Sequence, residues 1–235
     1  MLAPVVSVLS FVFMILTSSG AVRAEQAVPP FRFVAVPDTD FFGSDLEAVF
    51  DTDLATCARI CANRVECEGF TFNSRSNSCF PKSQIGEKTP YEGAVSAFKR
   101  PVATPIRVNG ESRAAELAFL PAADFERAHG QARDIGLRHP AGGADLERLV
   151  ETARRRAASG EMGAAARWMG EAVTVSDAAD LWADYADYLL RADSGQSSRR
   201  RDFRERAYSA ALNAYLRSDS GGLRVNALIL AAEAL

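Results

Sequence analysis

Lysine is absent beyond Lys99, and from Pro101 to Leu235 every basic residue is arginine. We read this as a compositional bias of the source genome rather than a demand for guanidinium chemistry. Histidine is scarcer still, with only His129 and His139 in 235 residues. The formal net charge of -3 offers no electrostatic footprint for nucleic acid. No serine lies in a Gly-x-Ser-x-Gly elbow, no glycine-rich phosphate loop precedes a helix, and no Cys-x-x-Cys pair occurs. These absences remove the common hydrolase, nucleotide-binding and thioredoxin-like readings. The sequence therefore predicts no enzyme, no catalytic residue and no cofactor.

Cysteine is confined to one stretch, "TCARICANRVECEGFTFNSRSNSCF", which holds Cys57, Cys61, Cys67 and Cys79. What those residues do depends on the compartment, and the first residues speak to that. Leu2 to Leu16 is mostly apolar and is followed by small and polar residues ending "AVRA" at Ala24. That layout predicts a secretory signal over residues 1–24, with Val22 and Ala24 at the cleavage point. A membrane span needs about 20 apolar residues and usually a basic flank, so none is expected after cleavage. No cysteine sits near the cleavage point to carry a lipid. The expected location is periplasmic or secreted, an oxidising space where disulfides persist.

The texture of the chain changes near residue 100. Residues 30–100 hold the cysteines, many aromatic residues and the turn formers "PDTD", "NSRSNS" and "YEG". "FRFVAV" and "GFTFN" alternate with the period of half-buried strands, which sends Phe70 and Phe72 one way and Thr71 and Asn73 the other. "DTDLATCARICANR" predicts a helix capped by Asp51 or Thr52, with Leu54, Cys57, Ala58 and Cys61 in one stripe. Residues 101–112, with two prolines and an Asn-Gly pair, are expected to be a linker. Beyond them, residues 113–235 predict helices over 121–135, 144–159, 162–175, 178–191, 198–216 and 223–235. The expected class is α+β, a small sheet packed on one helix followed by an all-α array of helical hairpins.

A zinc site would show two close-spaced cysteine pairs, and none is present, so the four cysteines are expected to form two disulfides. Cys57 and Cys61 lie four apart on one helix, and neither sulfur is aimed at the other. Two connectivities remain open. The preferred one joins Cys61 to Cys67 across the bend that leaves the helix, and Cys57 to Cys79 between helix and sheet. Such bridges supply what a region of about 70 residues cannot bury for itself.

These residues carry a resemblance. The opening strand, the "GSDL" turn at Gly43 to Leu46, the helix with Cys57 and Cys61, the "GFTFN" strand and "CFPKS" together resemble a PAN/Apple domain over roughly residues 31–99. The resemblance implies the same two bridges and a module that binds protein or carbohydrate. It is similar to the minimal PAN type, without the extra cysteine pair of the larger Apple form, and it departs in placing Pro81 in the last strand's approach.

In the helical region Ala153, Gly160, Ala165 and Ala172, with Met162 and Met169, resemble a tetratricopeptide-like hairpin. The order of modules, with "ERAYSAALNAYLRS", is similar to the amino-terminal portion of bacterial alpha-macroglobulin-like protease traps. Their thioester motif, Cys-x-Glu-Gln, does not occur here. The resemblance implies a region that positions or recognises within a protease inhibitor. A free-standing periplasmic adaptor and a glycan-binding protein are the rival expectations.

Several residues invite sharper readings. His129 and His139 have no evident convergent partners and are expected on the surface. Arg154 to Arg156 and the run from Arg199 to Arg206 alternate with Glu151, Asp202 and Glu205, as a solvated helix face does. Trp182, Tyr185 and Tyr188 are spaced as a core stripe. Asp38, Asp40, Asp45, Asp51 and Asp53 lack the spacing of a calcium loop, and turn or capping duty explains Asp38 and Asp51. No metal is expected.

Overall fold

A computed structural model describes residues 27–141, 145–192 and 197–235. The expected signal over residues 1–24 lies outside them. The class is α+β, with an antiparallel sheet and one helix followed by further helices.

The alternating runs do form strands. β1 (Phe31–Phe41), β2 (Gly69–Asn73), β3 (Ser78–Lys82) and β4 (Lys88–Pro101) make one antiparallel sheet in the order β1-β4-β2-β3. Helix α1 (Leu54–Ala62) packs on one face, where Phe33, Ala35, Phe70, Phe72 and Ala97 meet Cys57, Ala58 and Cys61 in a small core. The cap falls on Asp53 rather than on Asp51 or Thr52. Its carboxylate accepts from the Thr56 amide at 2.7 Å. Asp51 instead takes a left-handed φ of 53°, and the Thr52 amide is tied to the Asn77 carbonyl at 2.9 Å, so the chain is still turning there.

Each sheet edge meets another part of the chain. The segment 45–49 lies along β3, with the Leu46 amide on the Pro81 carbonyl at 2.8 Å and Val49 exchanging bonds with Cys79. The backbone of Pro81 thus faces that segment, and its missing N–H costs no bond to β2. The outer edge of β1 meets a helix of the second region, α3 (Ala122–Arg138), at the bridge between Val34 and Gly136. A Cβ on Gly136 would lie 2.1 Å from the Phe33 carbonyl oxygen, so only glycine permits this approach.

The expected linker is not one. β4 runs on to pair Pro101 with Phe31, and Thr104–Glu116 forms helix α2, with Pro105 in its first turn. The composition of residues 101–112 suggested a break, but proline suits a helix start. Gly110 is kept because a Cβ there would meet a Val28 methyl at 2.4 Å. α2 is anchored by Arg113, which donates to the Leu216 carbonyl at 2.9 Å and pairs with Asp219.

The remaining helices are α4 (Leu146–Ala158), α5 (Met162–Val175), α6 (Ala179–Arg191), α7 (Ser197–Arg217) and α8 (Gly221–Ala234). Neighbours in sequence pack on one another, as hairpins should. However, α7 also receives α2 and α3, so the region closes around one helix instead of extending as a simple array. Small residues make this possible: Ala207, Ala210, Ala211 and Ala214 of α7 are fully buried and let helices approach from several sides. Asn213 donates to the Ala128 carbonyl at 2.8 Å, and the Tyr208 hydroxyl donates to Asp124 at 2.6 Å.

Arg32 joins the two regions. It leaves β1, is almost wholly buried, donates to the carbonyls of Val173 and Ser176 at 2.8 Å each, and pairs with Asp177. Arg217 of α7 stands on the other side of Asp177, 3.7 Å away, and lies over Trp182. Burial lowers the pKa of both guanidiniums, that of Arg217 to about 10, while Asp177 opposes the shift.

Candidate functional site

The face of the sheet opposite α1 is where the protein leaves side chains unused. Cross-strand register puts Thr71, Asn73, Phe80 and Lys82 on that face. Past an irregularity between Pro37 and Thr39, β1 curls over it. A chain of hydrogen bonds holds the curl in place. The Phe41 amide donates to Thr71 Oγ1 at 3.1 Å, the Thr71 hydroxyl to Ser96 Oγ at 2.7 Å, and the Ser96 hydroxyl to the Thr39 carbonyl at 2.7 Å. Thr71 is therefore buried, although it faces away from the small core. Gly43 (φ 80°) and Ser44 (φ 57°) then turn the chain back toward β3.

The result is a cleft of about 350 Å³. Asp40, Phe42 and Asp45 come from the curled strand end and its loop, Asn73 and Phe80 from the sheet, and Tyr91 from β4. Lys82 pairs with Asp45 from below, with its side chain almost wholly buried and its ammonium 5.9 Å from the Phe80 ring centre. Asn73 donates to the Tyr91 hydroxyl at 3.4 Å and accepts from the Arg75 amide at 2.9 Å. The adjoining turn is pinned by Asp38, which accepts from the Gly93 amide at 2.9 Å while holding a left-handed φ of 50°. Phe42 and Tyr91 are 69% and 45% exposed, so two aromatic rims stand open to solvent. Exposed rings beside a few convergent polar groups suit binding, and the cleft contains no nucleophile paired with a base.

The cysteines frame this site. Cys57 is joined to Cys79 and Cys61 to Cys67, each with Cα atoms 5.4 Å apart. The first bridge ties α1 to β3 directly behind the cleft. The second closes the bend leading to β2.

Other singled-out residues fall elsewhere. His139 is buried, which corrects the expectation of a surface histidine. Its Nε2 lies 3.0 Å from the Tyr185 hydroxyl, and its ring packs on Gly170, where a Cβ would lie 2.6 Å away. Burial, then the nearby Arg206, lowers its pKa to about 3. His129 is half-buried on α3. Trp182, Tyr185 and Tyr188 are core residues. Arg154, Arg155 and Arg156 are exposed and pair with Asp184, Glu151 and Glu161. Arg206 departs from the solvated face, since it donates to the buried Tyr185 hydroxyl at 2.7 Å. A larger cleft of about 680 Å³ between α3, α7 and α8 is rich in arginine. There Arg204 is already committed to the Glu233 and Ala234 carbonyls, and Arg127 to Asp124.

Comparison with known proteins agrees with the geometry of the first region. The PAN domain family matches residues 31–99. Residues 31–99 are a PAN domain. Putative receptor protein kinase ZmPK1 of Zea mays is 41% identical over 54 residues, which make up 23% of this chain and 7% of that protein. The chain thus spans only a small part of that relative. No solved structure matches. Within the PAN domain the sequence points to no ligand residue, and Asp40 stands out only as one of a cluster of acidic residues. The available signal is the pair of aromatic residues, Phe42 and Tyr91, which the sequence sets among turn formers. Among the described residues no group of histidine, cysteine and carboxylate side chains could hold a metal ion, and no helix is long and apolar enough to cross a membrane.

Proposed function

We propose that this protein is an exported, non-enzymatic binding protein whose PAN domain takes a protein or carbohydrate ligand in the cleft on its open sheet face. The observation that carries this reading is the aromatic-rimmed cleft itself, built on a disulfide frame suited to an oxidising compartment. The helical region, clamped to β1 through Arg32 and Gly136, serves as its mount. The periplasm is the proposed location. The wider context, the amino-terminal region of an alpha-macroglobulin-like inhibitor with a tetratricopeptide-like hairpin at α4 and α5, rests on sequence resemblance alone.

A second reading is an adaptor that recruits a protein through its helices. It draws on the outward apolar side chains Val225, Leu228 and Ile229 of α8. Retention of the intact chain on immobilised glycans and on envelope proteins tests both. Loss of retention in Tyr91→Ala and Phe42→Ala supports the cleft, whereas loss only in Ile229→Asp moves the function to α8. Turnover of a peptide or glycan panel by the pure chain would end the non-enzymatic reading.

A further inference from the structure

The edges of the PAN sheet constrain what it can recognise. A peptide that binds by adding a strand needs a free row of N–H and C=O groups. Here segment 45–49 occupies the β3 edge, and α3 meets the β1 edge. The β3 edge is therefore closed to such a peptide and the β1 edge is interrupted at Val34, which favours recognition by side chains on the open face.

The charge in the cleft is uneven. Asp45 is held by the ammonium of Lys82. The Asp40 carboxylate lines the same cleft with no hydrogen-bond or ion-pair partner among the described residues. One carboxylate is thus left for a ligand, in a cleft that the exposed rings of Phe42 and Tyr91 also line. Aromatic faces attract cations as well as the apolar C–H faces of sugar rings. A volume of about 350 Å³ sits at the small end of ligand pockets, the scale of one or two pyranose rings.

Building on the carbohydrate arm of the reading above, we infer that this cleft binds a saccharide bearing a protonated amine, with Asp40 pairing the ammonium and Tyr91 and Phe42 covering the ring faces. Neutral saccharides bind more weakly because Asp40 then loses water without gaining an ionic partner. Anionic saccharides are repelled by the same group.

Isothermal titration calorimetry of the full chain near pH 6, with a glucosamine tetrasaccharide and its N-acetylated counterpart, tests this. The amine form is expected to bind about tenfold more tightly, equivalent to about 1.4 kcal/mol. Asp40→Asn should remove that preference, the amine sugar losing affinity and the N-acetylated sugar, no longer opposed by a desolvated carboxylate, binding at least as tightly as before. Tyr91→Ala should weaken both. Equal affinity for the two sugars, indifferent to Asp40→Asn, overturns the ammonium assignment and leaves carbohydrate binding standing. No binding of either sugar by a chain with intact disulfides overturns the carbohydrate arm itself. A lysine-rich peptide that binds more tightly than the amine sugar, and loses affinity in Asp40→Asn, overturns the saccharide in favour of a protein ligand.

Discussion

The PAN domain and the helical region solve the same problem of stability with different materials. The PAN domain has a core of few residues and adds two covalent bridges to it, one of which ties helix to sheet. The helical region has no cysteine and buries a much longer roster of alanine, leucine and aromatic side chains around α7. A small sheet-on-helix unit cannot remove enough surface from water to offset its chain entropy, whereas close-packed helices of this length can. The contrast fits the placing of the proposed ligand cleft on the PAN side. A covalent frame holds the sheet even when one of its faces is left open to solvent.

The joint between the regions is the sharpest place to break that comparison. Arg32→Ala removes a buried cation from between Val173, Ser176 and Asp177, and losses of about 3 kcal/mol or more accompany the breaking of a buried pair. A single urea transition should separate into two, read by protease sensitivity of residues 31–99 against helical circular dichroism. The double change Cys57→Ala and Cys79→Ala acts on one side only. Opening a loop with a sequence separation of 22 should cost the PAN domain about 3 kcal/mol on the chain-entropy account. Thermal melts should then show the helical signal surviving after the sheet is lost.

His139 sharpens the comparison from the helical side. Its pKa is about 3 in the fold and about 6.5 in the unfolded chain. The unfolded state therefore binds the extra proton, and stability is lost as pH falls below about 6.5 toward 3. The loss should reach about 2 kcal/mol at pH 5. His139→Gln should flatten that slope in urea melts at pH 7.5 and pH 5, while the PAN cleft binds ligand as before. The smallest effect belongs to Arg155, exposed and 3.6 Å from Glu151. Arg155→Ala should change the melting free energy by less than about 0.5 kcal/mol.

Much of this was legible because it is local. The strand around Phe70 and Phe72 shows in period-two alternation, and the helices from residue 121 onward show in apolar spacing and turn residues. What stayed hidden depended on contacts between distant residues. Residues 101–112 carry the composition of a linker, yet α2 forms there because Arg113 and Glu116 find Leu216, Asp219 and Tyr215 a hundred residues away. His139 is without partners in the sequence and is buried only because Tyr185 and Arg206 arrive from α6 and α7.

The candidate site divides in the same way. Phe42 and Tyr91 are conspicuous as aromatic residues among turn formers, but nothing nearby in sequence says that they flank one cleft. That requires the curl of β1 past Pro37, which the bonds from Phe41 through Thr71 and Ser96 to Thr39 hold in place.

By itself the sequence determined the α+β class, the candidate cysteine frame and the two textures, because periodicity and residue type act over neighbours a few positions apart. Tertiary structure alone decided that the two regions share the Arg32 clamp, that α7 is the centre of the helices, and that Asp40 lines the cleft unpaired. Those facts depend on which distant surfaces meet, and burial and charge pairing settle that only once the chain has closed on itself.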